Sequence, residues 1–473
     1  MTNQSIKTSR FSDYLRIIQS ALKGDEYDFT TINLRKAVIL LAIPMMLELV
    51  LESVFAVVDI YFVNKLGVHA TSVVGLTESV IAIVYSVGIG LSAAATATVA
   101  RRVGEKNNEA AAHAGVQAIL LAIITSLFLG IPGYIYAGDI LRLMGAEPAA
   151  IEEGIVYARL MFGGNVVIIL LFLINGIFRG AGNASIAMKS LWIGNIFNIA
   201  LDPLLIFGLS FIPGFGIAGA AIATITGRSI GVLYQLYHLW RSSGILKIKL
   251  HHFKPDFSVV KGLISIASPA TFQFLIASAS WIFLASMVAE YGSDASAGYQ
   301  TALRLLVFFI LPAWGMSNAV ATLVGQNLGA KLPDRAEQSV KITSKYNAIF
   351  MAAVTVFILV LAHPLVGFFI PSEQVEQIRY AVLSLQIVSS GYIFYGLGMV
   401  LTQAFNGAGD TKTPTWIYFF GFWVFQVPFA YLLHKYTDIG VAGIFLAVPV
   451  AETLMAIAVF VLFRQGKWKK VEV

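Results

Sequence analysis

The sequence predicts an all-α integral membrane protein with twelve transmembrane helices in two parallel six-helix lobes. Three observations carry that prediction. Only 12% of the residues are charged, against about 25% in soluble domains, and the mean hydropathy is +0.78. Lipid must therefore surround most of the chain. Apolar runs of about 20 residues, the length that crosses a bilayer as helix, recur along the sequence without the alternation of a membrane strand. Short motifs of the first half also return in the second at a nearly constant offset.

The arm of residues 1–36 has no apolar leader core. Its Phe11, Leu15, Ile18 and Leu22 share a helical face near Arg10, Arg16 and Lys23, which suits an interfacial helix and an unordered tail equally. Six spans follow at about 37–64, 73–98, 110–136, 154–178, 186–209 and 216–240, making an N-terminal lobe over 37–240. A basic linker, 241–261, leads to a C-terminal lobe over 262–463, with spans at about 262–289, 297–324, 344–370, 377–403, 414–433 and 439–463. Residues 464–473 form a basic tail. Alternate connections hold Arg101, Arg102 and Lys106, then Arg179 and Lys189, the basic linker, Lys331, Arg335, Lys341 and Lys345, and Lys412. The opposite set holds little beyond Lys65, Arg142, Arg159, Arg379 and Lys435. By charge asymmetry, the arm and the tail are cytoplasmic.

The doubling is visible residue by residue. "VARRVGEK" at Val99 returns as "VGQNLGAK" at Val324, "FRGAGN" at Phe178 as "FNGAGD" at Phe405, and "GIAGAAIA" at Gly216 as "GVAGIFLA" at Gly440. Pro44 and Pro269, Gly67 and Gly292, Gly104 and Gly329, and Pro203 and Pro428 each stand 225 apart. Six spans return the chain to the same face, so the halves are parallel repeats, an arrangement suited to rocking around a midplane cavity.

Polar residues inside the spans are the functional candidates. A carboxylate at the bilayer centre costs about 2.5–3.5 kcal/mol, yet the first span carries Glu48, Glu52 and Asp59 within about 40° of one face, with Phe55 between them. In the fifth span Asn195, Asn198 and Asp202 lie within about 60°, directly before Pro203. Their counterparts include Ala277 for Glu52, Leu284 for Asp59, Trp423 for Asn198 and Val427 for Asp202, so the repeated fold does not require this chemistry. Glu48 near the cytoplasmic end is either solvated or salt-bridged. Aromatic residues including Phe55, Tyr61, Trp281, Tyr299 and Trp314 are candidates for stacking on flat cations, although most aromatics in spans only pack or anchor. Arg304 in the eighth span either lines a cleft or pairs with a carboxylate.

Other chemistries are absent or weak. The chain has no cysteine, which removes disulfides and thiolate sites. No Walker-type phosphate loop occurs, and the net charge of +6 is not arranged for nucleic acid. His251 and His252 sit in a basic loop, where solvation is favoured over metal binding. "GAGD" at Gly407 matches the string of intramembrane aspartyl proteases, but its repeat partner "GAGN" identifies both as turns. A passive channel has no readable filter.

"VVDIYFVNKLG", "FRGAGN", "NIFNIALDPLLIFG", "GIAGAAIAT", "VGQNLGAK" and "FNGAGDTKTP" together resemble the multidrug and toxic compound extrusion (MATE) transporters over essentially the whole chain after residue 30. The resemblance implies a V-shaped pair of bundles in a bacterial inner membrane. It implies an antiporter, not an enzyme, that expels organic cations and amphipathic compounds against H⁺, Na⁺ or both, without a cofactor or an obligate protein partner. Asp59, Asn198 and Asp202 (in "N-x-x-x-D-P") and Thr224 (closing "GAAIAT") occupy positions that form an N-lobe cation site in the DinF-type branch. Ala277 stands where NorM-type members place a seventh-span glutamate. No metal beyond a coupling Na⁺ is expected. Glu52, Phe55, Asn195, Tyr299 and Arg304 remain candidates for the cleft. The other reading is a related flippase for lipid-linked saccharides, which calls for a strongly cationic cavity.

Overall fold

The computed structural model describes residues 10–209, 213–241 and 245–473, and the side chains of all of these but 10–14, 56, 57, 59, 60, 64 and 68. Its helices follow the apolar runs. In the first half these are α1 (Arg10–Lys23), α2 (Leu34–Asn64), α3 (Val68–Gly104), α4 (Asn108–Ile135), short α5 (Ala137–Leu143), α6 (Pro148–Gly163), α7 (Asn165–Gly180), α8 (Ala184–Phe207) and α9 (Ile217–Arg241). The second half holds α10 (Phe257–Ala289), α11 (Ser293–Gly329), α12 (Pro333–Gly367), α13 (Val375–Ser389), α14 (Tyr392–Ala408), α15 (Lys412–Tyr418), α16 (Val427–Tyr436) and α17 (Val441–Arg464). Among the described residues eleven helical stretches are long and apolar enough to cross a membrane, and α13 with α14, bent by 53°, makes twelve. The chain is a multi-pass membrane protein.

The spans begin where the sequence supplies caps. Asn33, Asn107 and Asn183 accept from the first-turn amides of α2, α4 and α8. Asp256 caps α10 through the amides of Val259 and Ser258, which hold its carboxyl below the usual carboxylate range. The repeat extends to backbone angles. Gly67 and Gly292 have φ of 109° and 102°, and Lys106 and Lys331 have φ of 61° and 58°. Two lysines 225 residues apart in the same left-handed turn are difficult to explain without a doubled fold.

One hydrophobic core runs from Val63 through the first half to Ala267 at the start of α10, and another from Leu284 to Val448 in the second half. The halves meet on the side that carries α1 and the basic tail, called the basic side below. There Leu41 and Met45 of α2 cluster with Met316, Ala319 and Leu323 of α11. Thr322 donates to the Arg179 carbonyl at 2.9 Å and Gln326 to the Gly180 carbonyl at 2.9 Å. Arg101 donates to the carbonyls of Val471 at 2.7 Å and Ala408 at 3.3 Å. These contacts shut the basic side.

The arm and linker are ordered parts of this side. Helix α1 buries Ala21, and Ser185 donates to the Leu22 carbonyl at 2.7 Å, favouring the helix over the unordered tail. His252 is buried rather than solvated. The His251 and His252 Nε2 atoms lie 2.7 and 2.8 Å from Glu109 Oε1, and Lys249 reaches Oε2 at 2.8 Å. His252 Nδ1 accepts the Lys249 amide at 3.1 Å, so its proton is on Nε2 and no lone pair remains for a metal. The histidines therefore tie the linker to α4.

Candidate ion and substrate site

Two polar layers climb α2, and a third lies between α8 and α9. In the lowest, Glu48 Oε1 pairs with Arg179 at the end of α7 and accepts from Asn175 at 3.0 Å. Asn175 Oδ1 in turn accepts from Ser190 at 3.2 Å and from Gln235. Glu48 is thus salt-bridged, not solvated, within a buried polar network.

One turn higher, Glu52 accepts from Asn195 at 3.1 Å and from Arg228 at 3.1 Å. Arg228 also donates to the Tyr85 hydroxyl at 3.0 Å, and its guanidinium lies 5.8 Å from the Phe55 ring centre. The sequence reading missed Arg228. Its signal was available, as a lone arginine within the sixth apolar run, "TGRSIGVLY".

The third layer joins α8 to α9. Asn198 donates to Asp202 Oδ1 at 3.4 Å and to Thr224 Oγ1 at 3.2 Å. Both Asn198 and Asp202 are buried. Asn198 Oδ1 is buried without a hydrogen-bond partner among the described residues. Asp59 is on α2, which packs against α8, but its side chain lies outside the described residues. The oxygens of Asp202, Asn198 and Thr224 form a hard donor set suited to a proton or a small monovalent cation.

Beside the second layer is a cleft of about 260 Å³ between the lobes, lined by Glu52, Tyr85, Phe172, Trp314, Asn318 and Asn406 among others. Glu52 and Trp314 thus reach the cleft, whereas Asn195 and Phe55 are buried behind it, around the Glu52–Arg228 pair. Tyr299 is a correction. It is 1% exposed and stacked on Phe445 at 5.6 Å, because α11 turns it into the C-lobe core. Trp281 lines a different, small cavity of the C lobe, and Tyr61 is exposed beneath Lys65. Arg304 is exposed, on the same stripe of α11 as the cleft residues Leu311 and Asn318 and about two turns beyond Leu311.

The MatE family model matches residues 44–204 and again residues 269–432, once per lobe, starting at the repeat partners Pro44 and Pro269. The chain belongs to the MATE family. It is 27% identical over 438 residues to the probable multidrug resistance protein YoeA of Bacillus subtilis, covering 92% of this chain and 94% of that one. With the probable multidrug resistance protein NorM of Thermotoga maritima it shares 26% over 443 residues, 93% and 94% of the two chains. A MATE structure in complex with MaL6 superposes with a TM-score of 0.88 at 27% identity, covering 94% of this chain and 99% of that one. The twelve-helix, two-lobe MATE fold read from the sequence is thus the fold found.

Proposed function

We propose that the chain is a multidrug exporter that moves drug-like organic cations and amphipathic compounds out of a bacterial cell, in exchange for H⁺, Na⁺ or both. The observation that carries this reading is the buried oxygen cluster of Asn198, Asp202 and Thr224, one layer above an ion pair that borders the cleft. An ion taken up by that cluster, with Asp59 as the further carboxylate, changes the charge inside the N lobe and with it the packing of α2 on α8. Because α2 also carries Glu52 on the cleft wall, ion uptake and substrate release share one helix.

The cleft chemistry supports a drug-like cargo. Glu52 is neutralised by Arg228 and Arg179 by Glu48, so the wall presents aromatic rings and amides without the excess positive charge that a lipid pyrophosphate needs. That balance disfavours the saccharide flippase. The two relatives named above are called multidrug resistance proteins, which points the same way. With the arm and tail cytoplasmic, the closed side is the inner one and the cleft faces outward.

The test is efflux of a fluorescent cation from proteoliposomes under separately imposed proton and sodium gradients, for wild type, Asp59→Asn and Asp202→Asn. At least one of the two gradients is expected to drive efflux, and both variants to fall to the level of protein-free vesicles. Full coupled efflux by both variants at equal protein amounts would refute the N-lobe site.

A further inference from the structure

The twelfth span holds a carboxylate that the site above does not use. Glu452 is midway along α17 and 8% exposed. At the offset of 224 that relates the start of this span to that of the sixth, its counterpart is Arg228. Arg228 has Glu52 beside it, but the counterpart of Glu52 is Ala277. The N lobe therefore carries a neutralised pair where the C lobe carries one acid with its partner position emptied. Glu452 is buried, and among the described residues it makes no hydrogen bond and no ion pair.

Its surroundings decide what it can bind. The adjoining cavity is about 10 Å³ and is lined by Trp281, Ile310, Tyr392, Tyr395 and Val448 among others. Such a space holds about one water at most, so an organic cation does not fit. A sodium ion needs several oxygens. The lining side chains offer two hydroxyls besides the acid, and that of Tyr392 is already engaged, donating to the Leu306 carbonyl at 3.0 Å. A proton needs only the carboxylate.

The groups facing Glu452 supply no positive charge. Tyr392 and Tyr395 come from α14, and Tyr418 from α15. Val388 of α13, Trp281 of α10 and Ile310 of α11 complete the wall. The charged pair of α13, Glu376 with Arg379, sits at the opposite end of that helix. The His434 backbone of α16 lies beside Gly443, at the start of α17 and well before Glu452. An isolated ionised carboxylate in such a place is strongly disfavoured.

We propose that Glu452 is a second proton-binding site, located in the C lobe and remote from the N-lobe oxygen cluster. Its part in transport rests on the ion-coupled reading above, but its protonation does not. The test is infrared spectroscopy of the full chain in liposomes, titrated in pH, for wild type, Glu452→Gln and Glu452→Asp. Wild type is expected to show a buried carboxylic C=O stretch that fades as pH rises, shifts in Glu452→Asp and is missing in Glu452→Gln. Superimposable wild-type and Glu452→Gln spectra would overturn the site. So would a band indifferent to pH, since a permanently neutral acid exchanges no proton. The transport assay separates the two readings. A titrating band without gradient-driven efflux keeps the site and sinks the antiport. Gradient-driven efflux with superimposable spectra does the reverse.

Discussion

Glu48 and Glu52 are one helical turn apart on α2, and each faces an arginine from another helix. Their surroundings separate their roles. The Glu48 side chain is 2% exposed and that of Arg179 13%, inside a network completed by Asn175, Ser190 and Gln235. Removing one partner of a buried pair leaves the other charge uncompensated, at a cost of about 3–5 kcal/mol. Glu48→Ala is therefore expected to lower the thermal unfolding midpoint in detergent sharply, with Glu48→Ala combined with Arg179→Ala recovering much of the loss. A single variant as stable as wild type would show that this layer is not structural. The sequence marked the acids because a carboxylate in an apolar run stands out. It hid their partners: Arg179 falls at a span end, where it reads as loop charge, and Arg228, though a lone cation in an apolar run, carries no mark of the acid it meets. Three-dimensional pairing between distant helices leaves no periodic trace in one sequence.

At the scale of elements, the crossing of α3 with α11 is the closure of the basic side. A Cβ on Gly104 would lie 2.0 Å from the Gln326 carbonyl oxygen, and one on Gly329 would lie 2.1 Å from that of Arg101. The obstacle in both cases is backbone, which cannot rotate away. Gly104→Ala is therefore a wedge between lobes. The chain has no cysteine, so spin labels at Asn108→Cys and Asp334→Cys report their separation without background. The expected outcome is a longer or broader distance distribution in Gly104→Ala than in the Gly104 parent. Identical distributions would show that the lobes absorb the methyl group locally. Both glycines were legible as repeat partners, but their packing on each other's helix was not. Hydropathy likewise found twelve spans and missed how three are built. The fourth breaks between Gly163 and Asn165, the tenth bends between α13 and α14, and the eleventh carries a π-helical stretch over Phe419–Gln426. An apolar run looks the same whether its backbone is straight or broken.

For the whole molecule, the contacts divide the two sides of the membrane unequally. The α2–α11 cluster, the glycine crossings and the Arg101 bonds all fall on the basic side, and the cleft with Asn318 on its wall adjoins them. Alternating access requires that these contacts open in a second state, whose population rises only with a ligand that binds it more tightly. The expectation for the state described here is that a water-soluble reagent reaches the cleft from one side alone. Asn318→Cys in the cysteine-free chain makes that a direct measurement. A charged, membrane-impermeant maleimide is expected to label this position from the side opposite the arm and tail, and transported cation bound in the cleft is expected to slow the reaction. Labelling from the basic side should appear only when an imposed ion gradient drives turnover, and Asp202→Asn should suppress that appearance while leaving the resting reaction intact. Equal labelling from both sides at rest would mean that the basic-side contacts do not seal the lobes, and the rocking mechanism would fail with them.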